Sequence, residues 1–203
     1  MPLTLLITGF GPFPGAPFNP TAALALRVAR RRRPALADAR RFAHVFRTSY
    51  AAIERDFPAL IKRCSPDAVL MFGLAGRTPY LRIETRAQNS VSSVYPDADR
   101  QRAAAPRLTY RGPSTLAVRA PSALLLQAAR AAGAPVRLSR DAGRYLCNAL
   151  FWRGLEASTT KAGPRVVVFV HVPKLGRGIN LATLTRAGEA IAVAILAAAR
   201  RAR

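Results

Sequence analysis

Three continuous apolar runs constrain the fold more than any other feature of this chain. They are Leu-Thr-Leu-Leu-Ile-Thr at 3–8, Ala-Val-Leu-Met-Phe at 68–72 and Val-Val-Val-Phe-Val at 166–170. Each has strand length, and none shows the polar alternation of a sheet with one solvated face, so each is expected to be a strand buried on both faces. Two buried faces require helices on both sides. The segments between supply them: 21–33 is an alanine-rich helical stretch stopped by Pro34, 50–63 carries Ile53, Phe57, Leu60 and Ile61 at helical spacing, and 120–132, 144–155 and 185–200 follow the same period. Shorter strands are expected at 42–48 and 136–139. This order predicts an α/β fold, a three-layer α/β/α sandwich with a mostly parallel, mixed central sheet and right-handed crossovers between parallel neighbours.

A chain of 203 residues, half of them hydrophobic and 21% charged, has the size and composition of one packed unit, so a single catalytic domain over 1–203 is expected. The net charge of +22 raises a nucleic-acid partner as a possibility. No helix-turn-helix, zinc-finger or RNP-like pattern accompanies it, and charge alone reads no bases. The two clusters, Arg30 to Arg33 and Arg200, Arg201 and Arg203, fall at the ends of helical patterns, where cations complement the dipole and face solvent. Nucleic acid and membrane are therefore not expected as partners. Two cysteines without repeated spacing give neither a disulfide framework nor a zinc site. The N-terminus lacks a basic leader, and the apolar stretch 190–199 is too short to cross a bilayer, so a cytoplasmic location is expected.

Three segments depart from the regular pattern. The loop 9–20 is rich in Gly and Pro yet carries Phe10, Phe13 and Phe18; the rings either cap the core or line a pocket at the end of the first strand. At 81–88, Leu81, Ile83, Thr85 and Ala87 alternate with Arg82, Glu84, Arg86 and Gln88, the pattern of a half-exposed strand. The stretch 90–113 is irregular, with room for a short hairpin at 108–110, and long irregular segments serve as lids, binding loops or subunit contacts.

Cys147 lies where a turn enters a helix, and the positive end of the helix dipole there favours a thiolate. The alternative is a small buried hydrophobe. His171 ends the apolar strand 165–171, in position to meet the cysteine across one crevice, which is the minimum for thiol catalysis. Glu84 shares its face with Arg82 and Arg86, so an exposed ion pair competes with a role in orienting the histidine. Asp141 is a rival for that role, although its place before the cysteine helix suits an N-cap. Cys64 is an alternative nucleophile with no histidine evidently in reach, and His44 is expected to be structural.

Five ordered motifs now carry a resemblance: Gly9-Phe10-Gly11-Pro12-Phe13 with Asn19-Pro20; Pro66-Asp67-Ala68-Val69-Leu70; Glu84 with Ala87 and Asn89; Ala142-Gly143 with Cys147-Asn148; and Val170-His171-Val172-Pro173. Together they resemble the type I pyroglutamyl peptidases, or pyrrolidone-carboxylate peptidases, cysteine exopeptidases that remove N-terminal pyroglutamate. The resemblance implies an α/β/α sandwich, Cys147 as nucleophile, His171 as acid and base, Glu84 as the carboxylate that holds the imidazole, and no metal or other cofactor. It casts Phe10, Phe13, Asn19 and Leu74 as substrate contacts and makes a homo-oligomer the expected assembly. The chain departs from the family at Leu74, where a Gln is usual, at Thr85, where an Arg is usual, at Asp141, where Thr is frequent, and in a shortened 73–77 segment. These changes gather around specificity, so a divergent amidase for another small acyl or lactam group is the neighbouring expectation, and a basic binding protein with an idle peptidase fold the more distant one.

Overall fold

The protein is described by a computed structural model covering residues 2–176 and 178–202. Among these, six strands form one sheet in the order β2-β1-β3-β8-β4-β7. β1 (Leu3–Phe10) lies parallel to β2 (Ala39–Phe46) on one side and to β3 (Ala68–Leu74) on the other. β3 runs parallel to β8 (Val166–Val172), while β4 (Leu81–Glu84) is antiparallel to β8 and parallel to β7 (Val136–Ser139). The sheet is mostly parallel and mixed, as expected from the sequence.

Alternation along the strands divides the core between the two faces. Leu5, Ile7, Leu70, Phe72, Val168 and Val170 meet α1 (Pro20–Arg30), α3 (Ser122–Ala131) and α5 (Leu181–Arg201). Leu6, Phe10, Met71, Val167 and Phe169 meet α2 (Tyr50–Cys64) and α4 (Leu146–Ala157). Because β1 sends the chain to β2 on one side and receives β3 on the other, the strand order reverses beside it. Such a switch point opens a crevice at the carboxyl ends of the strands, where an open α/β sheet binds its ligand.

Several expectations change. The segment 81–88 is not one half-exposed strand: β4 inserts between β8 and β7, so Ile83 and Glu84 are both buried. At Thr85 both the backbone N–H and Oγ1 bond Ser139 O, and the chain then leaves the sheet. β5 (Arg86–Gln88) pairs instead with β6 (Thr115–Ala117), a strand the sequence pattern did not reveal. No hairpin forms at 108–110. Asn89 holds that stretch, its Oδ1 accepting from Leu108 N and Thr109 N while its Nδ2 donates to Thr109 O.

α5 begins at Leu181, earlier than its apolar pattern suggested, because Asn180 caps it by accepting from Thr183 N. At 21 residues it is long and apolar enough to cross a membrane, contrary to the shorter run read from sequence. Its Leu184, Ile191 and Ile195 are buried within the protein, however, which is the arrangement of a core helix.

α1 stops at Arg30, short of the expected Arg33, and the arginine cluster is not simply solvated. Arg31 Nε lies 2.8 Å from Glu189 Oε2 and Arg33 Nε 2.5 Å from Oε1, clamping a carboxylate that is 2% exposed in the middle of α5. Replacing Arg31 and Arg33 together with alanine leaves that carboxylate buried without its cations. The expected cost is about 3 kcal/mol, near the lower bound for a stranded buried charge because both guanidinium groups are half exposed. Chemical denaturation of the double variant measures it.

Candidate active site

Register builds the site. Gly73 of β3 and Arg82 of β4 are the Cα partners of His171 on its two sides, and Glu84 lies opposite Phe169. The pleat turns Gly73, Arg82, Glu84, Phe169 and His171 to the face covered by α4. There His171 Nδ1 lies 2.8 Å from Glu84 Oε1, with the two side chains 4% and 0% exposed. An ionised carboxyl only accepts, so Nδ1 carries the proton and Nε2 keeps a free lone pair.

Arg82 Nε lies 3.3 Å from the same Oε1, and its Nη2 is 3.3 Å from His171 Nδ1. A guanidinium cannot donate to a protonated nitrogen. Arg82 therefore acts on the imidazole as a neighbouring charge, and on Glu84 as an ion-pair partner. The sequence offered Arg82 only as an exposed ion-pair partner of Glu84; its place beside His171 was not visible there. Glu84 Oε2 has no hydrogen-bond partner among the described residues, so the carboxylate is held through Oε1.

Cys147 is the second residue of α4, which starts at Leu146 and not at Arg144 as the sequence suggested. Its N-cap, Tyr145, makes no side-chain cap bond, so the cap side chain leaves the first-turn N–H groups to other partners. Asp141 is not the cap: its Oδ1 accepts from Gly143 N and Gln88 Nε2. The sulfur sits over Gly73. A Cβ at that glycine would lie 2.7 Å from both Cys147 Sγ and the Phe169 ring, so the missing side chain is what admits the sulfur beside the register position of His171.

The charge state differs from the expectation of a dipole-stabilised thiolate. Burial pushes the Cys147 thiol up to about 12, the Glu84 charge adds to the rise, and Arg82 offsets part of it. Burial also lowers His171 below its ordinary value, although its bond to Glu84 opposes this. Both shifts favour the uncharged forms, a thiol and a neutral imidazole.

Cys147 opens onto a narrow cavity of about 60 Å³ walled by Phe10, Phe13, Asn19 and Leu74 together with Thr48, Tyr145 and Leu146. All four substrate contacts expected from the sequence thus meet at one place. Asn19 has a structural task as well: its Oδ1 caps α1 by accepting from Thr21 N and Oγ1, and its Nδ2 donates to Gly11 O. Thr48 Oγ1 donates to the same carbonyl. These polar groups hold the first loop in shape, and aromatic and aliphatic surface faces the cavity. Tyr145 donates its hydroxyl to Pro96 O, tying the cavity to the irregular 90–113 segment. Cys64 is buried at the end of α2, and His44 faces Asp56 at 3.7 Å on β2, so neither contributes to this wall.

Comparisons with known proteins identify the family and the fold. A model of the pyroglutamyl peptidase family matches residues 3–201. A pyrrolidone-carboxylate peptidase of Gloeobacter violaceus is 35% identical over 178 residues, covering 85% of this chain and 82% of the relative. One from Pyrococcus furiosus is 27% identical over 184 residues, 87% of each. The solved pyrrolidone carboxyl peptidase of Thermococcus litoralis shares the fold with a TM-score of 0.90, covering 100% of this chain and 97% of that chain at 24% identity. The class is that of the α/β cysteine peptidases. Within it, the chain belongs to the pyroglutamyl peptidase family.

Proposed function

We propose that the protein removes N-terminal pyroglutamate from peptides through an acyl-enzyme on Cys147, with His171 as general base and acid and Glu84 as the orienting carboxylate. The observation that carries this reading is the buried 2.8 Å bond between His171 Nδ1 and Glu84 Oε1, on the sheet face where Cys147 opens to the cavity. His171 Nε2 takes the thiol proton as Sγ attacks the acyl carbonyl, so the thiolate arises in the step itself. The first-turn N–H groups of α4 receive the oxyanion. On collapse the C–N bond breaks and Nε2 protonates the departing amine. Water then attacks the thioester with His171 again as base, releasing pyroglutamate and the thiol.

Phe10, Phe13, Asn19 and Leu74 hold the lactam ring, recognition resting on shape and on backbone groups of the first loop. The whole chain serves as one catalytic domain. Free Cys64 and Cys147 support a reducing, cytoplasmic setting. Exposed Val94, Tyr95 and Tyr110 support the 90–113 segment as a contact between copies in a homo-oligomer.

Fluorogenic amides of pyroglutamate, proline and N-acetylalanine test the substrate. Hydrolysis of the pyroglutamyl amide with kcat/KM about 10²-fold above the other two is expected. Equal or greater turnover of an N-acyl amide would replace pyroglutamate with another acyl group.

A further inference from the structure

The leaving fragment must lie on the side from which its nitrogen is protonated. Under the catalytic reading above, that proton comes from His171 Nε2, which places the chain beyond the scissile bond toward the carboxyl end of β8, away from the first loop. A second cavity, of about 320 Å³, opens there between the segments that follow β3 and β8, with Gly76, Arg77 and Thr78 on one wall and Pro173, Lys174 and Ile179 on the other. No described residue lines both cavities, but they adjoin along the chain. Leu74 walls the first, and the next residue, Ala75, donates its N–H to Val172 O at 2.8 Å, joining the strand ends on which the second opens.

The lining of this second cavity is basic. Lys174 and Arg77 are its charged side chains among the described residues, no carboxylate accompanies them, and both are exposed. Gly76 shapes the approach: a Cβ there would lie 2.9 Å from Lys174 Cε, so the lysine stem runs across the glycine along the cavity wall. Two cations on the departing side attract a negative group one residue beyond the cleaved bond.

Resting on that catalytic reading, we propose that this cavity is the subsite for the released residue and selects leaving fragments that carry a carboxylate next to the scissile bond. Such a carboxylate is supplied by the free C-terminus of a pyroglutamyl dipeptide or by an aspartyl or glutamyl side chain.

The test compares kcat/KM within matched pairs: pyroglutamyl-alanine against its amide, and pyroglutamyl-aspartyl amide against pyroglutamyl-asparaginyl amide. Wild type, Lys174→Ala/Arg77→Ala and Arg32→Ala are measured, Arg32 being an exposed charge beyond the end of α1. Wild type is expected to prefer at least one carboxylate substrate by about three- to tenfold, and the double variant to bring that ratio toward one. Preference in the first pair assigns the C-terminus as the source, and preference in the second assigns the side chain. A wild-type ratio of one, a ratio that survives the double variant, or an equal loss in Arg32→Ala from the long-range field of the +22 chain overturns the subsite. Hydrolysis of the neutral amides keeps the catalytic reading in place through any of those failures. Absence of hydrolysis for every pyroglutamyl substrate removes both.

Discussion

Cys147→Ala is expected to lower kcat/KM on pyroglutamyl amides by about 10⁴-fold or more, to the level of background hydrolysis. The acyl-enzyme needs a nucleophile, and the other cysteine, Cys64, is buried at the far end of α2. Folding should survive the change. Removal of one sulfur enlarges a cavity already open beside it, so a melting temperature within about 3 °C of wild type is expected. Activity retained within about tenfold of wild type would remove Cys147 from the reaction.

Glu84→Gln carries the second large effect. The wild-type imidazole must become imidazolium as the thiol proton arrives, and Glu84 at 2.8 Å stabilises that charge while the nearby Arg82 opposes it. Glutamine nearly preserves the shape but removes the compensating charge, and its amide can donate to Nδ1 and hold the wrong tautomer. A fall in kcat of about 10³-fold is expected, with KM changed by less than about threefold. The pH profile supplies a second signature. Burial already places His171 below its ordinary 6.5, so the acid limb of wild-type kcat/KM lies below pH 6.5. Glu84 raises the histidine and burial and Arg82 lower it; deleting the raising influence moves the limb to still lower pH. A limb that stays in place or moves upward would show that Glu84 does not face His171 as a charge.

The three apolar runs were sufficient to read the layered α/β architecture, because their strand length and nearby Gly and Pro set them apart from the longer alanine-rich run of α5. Register was not legible, and it is register that makes the site. Glu84 alternates with two arginines in a pattern that reads as an exposed face. Only the insertion of β4 between β8 and β7 buries it beside His171. Gly73 follows directly on the 68–72 run with nothing to mark it, yet it is the gap that admits the Cys147 sulfur. The Asn19-Pro20 pair was read only as part of a motif, and the structure shows Asn19 capping α1, with Pro20 at its first position, while also standing in the cavity wall. Arg31 and Arg33 read as a solvated helix end because their partner, Glu189, lies far along the chain. The thiol departs from the dipole argument for a similar reason: the expected favourable helix end was visible, whereas the burial that outweighs it depends on packing.

Turnover is expected to pass through a covalent pyroglutamyl intermediate at Cys147, and rapid acid quench during turnover followed by peptide mass spectrometry reads it directly. The expected result is a mass increase of one pyroglutamyl group on the peptide containing Cys147, present during turnover and lost once substrate is exhausted. Turnover at the same rate with the adduct on the Cys64 peptide would contradict the account.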